Sequence, residues 1–341
     1  MKTALIGCGA IAGNHLSALG KIPGVETVAL CDLIPERAEA AKKKYAPGAA
    51  VFIDCKKMLD EARPDAVHIA TPHHLHCEMA CEALSRGIHV FLEKPVCITE
   101  EEIDRLTDAE EKSRATLTVC FQNRLNPATV AAAELIRRCG GVSCARASVT
   151  WNRGDDYYRA DAWRGKKATE GGGVLINQAI HELDLLIGFC GKPISVSATT
   201  ANHTHLGTID VEDTAELLIA FESGATAFFT ATTAFGCDAP NFNELYCKNG
   251  NRITIVGQEI YLDGETFPYE VPDGLSLPGK ECWGTGHYRL IRRFYESLRN
   301  GAPNPVPLAS AAVPLLTLLA AYRASGSGTT VPIKSERKNG K

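Results

Sequence analysis

Along the first third of the chain, short β-branched apolar runs alternate with stretches of helical spacing. TALIG, TVALCD, AVHIA, HVFLE and LTVCF are the runs, and helices are predicted over 36–44, 78–85 and 100–113. Alternation of this kind predicts a parallel sheet with helices on both faces. After Phe121 the pattern changes. A helix is predicted from about Asn126, then a strand SCARASVTW, an irregular polar and aromatic stretch over 152–169, and a helix over 173–189. GATAFFTATTAF, FNELYCKNG, NRITIVG and QEIYLDG follow, with Asn-Gly and Asp-Gly turns, as hairpin-linked strands do in a mostly antiparallel sheet. Two last helices are expected over 287–300 and 309–324. The pattern therefore predicts an α/β domain over 1–122 and an α+β domain with a large, mostly antiparallel sheet over 123–341. The C-terminal segment is a candidate to pack back on the first domain.

The first strand runs into Gly7-Cys8-Gly9-Ala10-Ile11-Ala12, a G-x-G-x-x-G/A arrangement opening a helix. The first glycine permits a tight turn, the second lets backbone approach a pyrophosphate, and the small third residue lets helix lie on strand. Helix amides near Ala10 and Ile11 then face phosphate. Asp32 ends the second strand twenty residues past Ala12, where a carboxylate accepts from both ribose hydroxyls of NAD and repels a 2′-phosphate. Leu33 offers no positive charge, which favours NAD; Arg37, one turn into the next helix, keeps NADP open. The fold expected for the first domain is thus a Rossmann domain.

Charge and composition narrow the partner. With 341 residues, 45% apolar, the chain can bury a core in each of two domains, and a net charge of −4 gathers neither nucleic acid nor an anionic membrane. A small molecule is the expected partner. The start MKTALIG has no secretory pattern, and the apolar stretch 308–322, interrupted by Ser310, Pro314 and Thr317, is expected to fall short of a bilayer span. Thirteen cysteines without a secretion signal suggest reduced thiols and a cytoplasmic location.

TPHHLHCEMAC, residues 71–81, holds every ligand type zinc takes, but it lacks C-x-x-C spacing, and no metal is expected. GCGAIAGNHL, ATPHHLHCEMACEALSRGIHVFLEKP and WRGKKATEGGGVLINQAIHELDLL, in this order and at these distances, resemble the Gfo/Idh/MocA family of NAD(P)-dependent oxidoreductases. The likeness spans almost the whole chain. It implies that Thr71, Pro72, His74 and His76 lie near the nicotinamide half of the cofactor. It implies also that Glu93 contacts the nicotinamide ribose, that Lys94 reaches the substrate hydroxyl, and that Gln122 and Arg124 border the nicotinamide. A cis Lys94-Pro95 bond belongs to the same pattern.

Oxidising a secondary alcohol moves a hydride to the nicotinamide while a base takes the hydroxyl proton. Imidazole suits that role near neutrality better than an ammonium. His181 is therefore expected as the base and Lys94 as the donor to the developing alkoxide. Asn177, His181 and Asp184 fall at i, i+4 and i+7 of the predicted helix, on one side, with Ile176, Ile180, Leu183 and Ile187 as the adjacent core stripe. The inositol dehydrogenases of the family carry Asp where this chain has Asn177, and the Asn-Gln pair resembles members acting at carbon 3 of glycosides or sugar nucleotides. In WNRGDDYYRADAWRGKK two roles stand side by side, a subunit interface and a sugar contact, with Trp163 and Arg164 the expected substrate contacts. His287 is a further candidate at the pocket rim. The expected function is hydride transfer between NAD and a ring carbon of a sugar, glycoside or cyclitol, in a homodimer or homotetramer. An NAD-dependent glycoside-cleaving enzyme and a non-catalytic sugar sensor are the alternatives.

Overall fold

A computed structural model describes residues 1–271 and 284–334. They form two compact units, residues 1–125 with 284–311 and residues 126–271 with 312–334. The first unit holds six parallel strands: β1 (Lys2–Ile6), β2 (Glu26–Cys31), β3 (Ala50–Phe52), β4 (Ala66–Ile69), β5 (His89–Glu93) and β6 (Leu117–Cys120). Their order is β3-β2-β1-β4-β5-β6, so the sequence of strands reverses between β1 and β4. In β4 and β6 every residue is buried, as in strands covered on both faces.

The helix Gly286–Asn300 returns to this unit after the stretch 126–271 spent in the other. Its buried face, His287, Leu290, Ile291, Phe294 and Tyr295, follows i, i+3, i+4 spacing and packs on the helix Ala12–Leu19. Burial of this stripe carries 284–311 to the first unit, while 312–334 belong to the second.

The second unit is a nine-stranded sheet, β7 (Val142–Thr150), β8 (Pro193–Ala201), β9 (Thr214–Phe221), β10 (Thr226–Thr232), β11 (Phe242–Cys247), β12 (Arg252–Val256), β13 (Glu259–Leu262), β14 (Glu265–Thr266) and β15 (Val331–Pro332). The order is β14-β13-β12-β11-β7-β10-β9-β8-β15, antiparallel except for β10 on β7. Strict alternation in β9 and β10 turns one face inward, and the helix Ile180–Cys190 packs on β7.

Two expectations are corrected here. The helix expected over 173–189 is interrupted: Val174–Asn177 and Ile180–Cys190 are separate segments. Between them the Ala179 amide donates to the Val174 carbonyl at 2.8 Å, five residues back, a wide turn of the π type. The last apolar stretch forms a helix of 20 residues, Leu308–Ser327, and so is long enough to cross a bilayer by length and composition; the run Lys167–Cys190 is long and apolar enough too, but is divided into the separate segments just described. Most of each is buried within the protein, as core helices are.

Candidate active site

At the strand-order reversal, Gly7 follows β1 with φ +91°, donating its amide to Cys31 at 2.8 Å. A Cβ there would meet the Ala70 carbonyl oxygen at 2.3 Å, so only glycine lets the two strand ends close up. Gly9 is different: a Cβ would meet nothing within 4 Å, leaving its backbone open to a ligand. The following helix has no acidic residue in its first turn, and Gly9 and Ala10 are exposed, so its amide end is ready for a phosphate. Ile11 is half-buried at the helix cap.

Asp32 binds the loop it faces, Oδ2 accepting from the Cys8 amide at 2.8 Å and Oδ1 from Ile34 at 2.9 Å. Leu33 is 82% exposed and Arg37 is exposed on the next helix. Open backbone at Gly9, a helix amide end and a carboxylate at the end of β2 fit a dinucleotide.

After β4, Thr71 and Pro72 are half-buried, and His74 is partly exposed. His76 is a correction. It is 0% exposed, with Nδ1 2.7 Å from the Pro95 carbonyl and Nε2 2.9 Å from that of Thr71. Both ring nitrogens are spent on backbone, and burial pushes its pKa down. This imidazole clamps the turn at Thr71 to the turn after β5 and has no surface left for a cofactor.

Lys94 follows β5, half-buried, and the Lys94-Pro95 bond is cis. Glu93 lies beneath it, Oε2 accepting from the Lys94 amide at 3.2 Å. Its Oε1 is 2.9 Å from His15 Nε2 and 3.9 Å from His287 Nε2. Burial alone would raise the Glu93 pKa, yet the bond to His15, with charge from His15, His287 and Lys94, holds it well below the carboxylate range. His287, expected at the rim, is instead 2% exposed, and burial takes its pKa to about 4.

His15, Glu93 and Cys120 could together offer three metal ligands. The Cys120 thiol, however, is driven far up by burial, and the facing atoms of His15 and Glu93 already bond each other. Gln122 is buried beside Cys120. The Arg124 guanidinium is braced on Ser310, at 3.0 Å to its hydroxyl and 3.1 Å to its carbonyl, and sits over Phe121.

In the second unit, the triple glycine acquires a physical cause. A Cβ on Gly173 would lie 1.8 Å from the Glu212 carbonyl oxygen, and one on Gly172 would lie 2.0 Å from the Tyr322 hydroxyl. The Glu212 carboxylate accepts from the Gly173 and Leu175 amides at 2.9 and 3.1 Å and from the Tyr322 hydroxyl at 2.9 Å. These bonds fix the start of Val174–Asn177. From its end the Asn177 amide group donates to Glu170 Oε1 and, at 3.4 Å, to the Tyr157 hydroxyl, which also accepts from Gln178 at 3.2 Å. Arg164 stacks over Tyr157 and Trp163 and pairs with Asp161 at 3.0 Å. His181 opens the next segment, partly exposed, while Asp184 on the same segment is 2% exposed. The wide turn at 178–179 lies between Asn177 and His181.

Within their own units, then, Glu93, Lys94 and His287 come together, as do Asn177, Arg164 and Trp163 through Tyr157. His15, Glu170 and Glu212 were missed. For Glu170 and Glu212 no local pattern signals the role; His15 stands one turn past the glycine loop, a position that could have marked it.

The fold and the loop define a dinucleotide-binding Rossmann protein. Residues 1–121 match the family model described as oxidoreductase family, NAD-binding Rossmann fold, and residues 129–262 match the GFO/IDH/MocA C-terminal domain; the chain belongs to the Gfo/Idh/MocA oxidoreductases. It is similar to D-glucoside 3-dehydrogenase of Escherichia coli, 25% identical over 98% of this chain and 97% of that one. Inositol 2-dehydrogenase of Salmonella paratyphi B is 31% identical over 40% of this chain and 41% of its own. The WlbA dehydrogenase from Bordetella pertussis, solved with NADH and UDP-GlcNAcA, superposes with a TM-score of 0.85 at 27% identity, covering 98% of both chains. NAD is accordingly the cofactor of the Rossmann unit.

Proposed function

We propose that the protein oxidises, or in reverse restores, a secondary ring hydroxyl of a glycoside or sugar nucleotide at carbon 3. The observation that carries this reading is likeness along both halves of the chain to a glucoside 3-dehydrogenase, with Lys94 at the end of β5 and His181 beside the Asn177-Gln178 pair. When bound, NAD supplies the hydride acceptor at carbon 4 of its nicotinamide ring. Lys94 donates to the substrate oxygen and stabilises charge developing there. His181 takes the hydroxyl proton, and in the reverse direction returns it. Asn177 orients a neighbouring hydroxyl, while the Tyr157, Trp163 and Arg164 cluster offers stacking faces and donors suited to a sugar.

The test is a panel of glucosides, sugar nucleotides and cyclitols with NAD, followed by reduced-cofactor fluorescence. Turnover of a 3-hydroxyl substrate, lost in Lys94→Met with NAD affinity retained, supports the roles; undiminished turnover in that variant refutes them.

The partner assignment extends to a second copy of the chain. On one face of the second sheet, Leu218 and Phe228 stand exposed opposite each other, with Arg146 beside Phe228 and Glu244 beside Arg146. An apolar pair rimmed by an ion pair suits a two-fold interface. Sedimentation of Phe228→Glu tests it, a monomer being the expected result. Unpaired cysteines among the described residues suit a reducing, cytoplasmic compartment.

A further inference from the structure

Behind Glu93 the first unit contains a string of side chains of which only His15 has a role above. Thr3, His15, His68 and Tyr295 are all 0% exposed and come from β1, the helix Ala12–Leu19, β4 and the helix Gly286–Asn300. The Thr3 hydroxyl donates to the Ala66 carbonyl at 3.2 Å, and the Tyr295 hydroxyl donates to Thr3 at 2.7 Å. Tyr295 oxygen lies 3.0 Å from His68 Nε2, His68 Nδ1 lies 2.9 Å from His15 Nδ1, and His15 Nε2 lies 2.9 Å from Glu93 Oε1.

Counting hydrogens along the string fixes its charge. Each hydroxyl has one hydrogen. Thr3 gives its hydrogen to Ala66 and Tyr295 gives its own to Thr3, so the Tyr295 oxygen accepts, and His68 carries a proton on Nε2. One hydrogen must sit between the two Nδ1 atoms and one between His15 Nε2 and Glu93. Those are three protons, where two neutral imidazoles and a carboxylate supply two. Any arrangement with fewer leaves two lone pairs facing each other in a dry interior. Burial drives His68 towards its neutral form, and Glu93 favours its carboxylate, so the surplus proton belongs to His15.

We propose that Thr3, Tyr295 and His68 lock a second proton onto His15, so that Glu93 reaches the coenzyme side of β5 as a charge-compensated acceptor beside Lys94. His15, His68 and Tyr295 are positioning residues in this scheme, which rests on Glu93 and Lys94 serving the cofactor and substrate as described above. Compensation matters because a bare buried carboxylate is costly and would hold the neighbouring ammonium in an ion pair. With His15 neutralising Glu93, that carboxylate draws less on the Lys94 charge.

The lock is remote from what it controls, which makes it testable. Without the Tyr295 hydroxyl, His68 can move its proton from Nε2 to Nδ1 and donate to His15. His15 then keeps only its Nε2 proton, one proton leaves to solvent, and the trio carries one negative charge. The titratable groups facing His15 are His68 from β4, Glu93 at the end of β5, Cys120 from β6 and His287 from Gly286–Asn300, with Lys94 next to Glu93 and Tyr295 behind His68.

The experiment is nitrogen-15 NMR of the full chain with labelled histidine, between about pH 6 and pH 8, where a free imidazole titrates. Both His15 nitrogens are expected to stay protonated and His68 to be protonated at Nε2 alone; a lone-pair nitrogen on His15 overturns the proposal without Tyr295→Phe having to fold. In folded Tyr295→Phe, His15 should lose one proton and His68 should exchange its tautomer. The added negative charge should shift the ratio of NADH to NAD dissociation constants roughly three- to tenfold in favour of the cationic oxidised ring. Unchanged spectra, or changed spectra with an unchanged ratio, overturn it. A chain that shows the expected spectra but turns over no sugar keeps the lock and refutes only the dehydrogenase reading.

Discussion

The two units build their chemistry in opposite ways. In the first, the chemical groups sit where strands end: Gly7 after β1, Asp32 after β2, Thr71 after β4, and Glu93 and Lys94 at β5. A parallel hydrogen-bond ladder sets their spacing, and changing a single side chain leaves the ladder intact. In the second, Asn177 and His181 flank a break between two helical segments, and side chains hold that break in place: Glu170, Tyr157, Glu212 and Tyr322. A site hung on a ladder tolerates changes beneath it, whereas a site hung on side chains should fail when its supports are removed.

Several substitutions press on that contrast. His181→Ala should show the largest effect, lowering kcat by about 10²- to 10⁴-fold while NAD affinity, measured by fluorescence titration, is retained. Gly173→Ala comes next. Its Cβ would collide with the Glu212 backbone, so the second unit should lose about 3 kcal/mol or more in urea unfolding, as severe overpacking does. Glu170→Gln keeps the shape but removes the charge from the Asn177 contact; a rise of about three- to tenfold in substrate KM is expected, with cofactor affinity unaltered. No change in KM would mean that Asn177 is held by the backbone alone and would erase the contrast.

The smallest effect concerns pH and the first unit. Burial lowers His287 from the ordinary histidine value to about 4, so the unfolded chain binds its proton more readily than the folded one. Its contribution to stability is complete above about pH 6.5 and is lost as pH falls from there towards 4. His287→Asn should flatten the fall in Tm over that window relative to the parent; an identical slope would show that another group dominates.

Legibility in the sequence follows the same division. The alternation of β-branched runs gave all six strands of the first sheet except the short β3, and the glycine loop with Asp32 stood at readable spacing, because a strand end is a one-dimensional feature. His76 was misplaced because sequence position at a ligand-binding edge does not reveal which way a ring turns. The wide turn at 178–179 was hidden because a single five-residue hydrogen bond leaves the apolar stripe Ile176, Ile180 and Leu183 almost undisturbed. Tyr295 meets Thr3 across 292 residues, and Tyr322 meets Glu212 across 110; no local pattern carries such pairings.

Asp32 shows what this economy implies for anyone wishing to retune the cofactor. Its two oxygens already latch the amides of Cys8 and Ile34 before any ribose arrives. Exchanging it for a small neutral residue to admit a 2′-phosphate would also slacken the loop that cradles the pyrophosphate. A redesign towards NADP therefore has to supply a new acceptor for those amides along with a cation for the phosphate, and single-site swaps should lose grip on both dinucleotides.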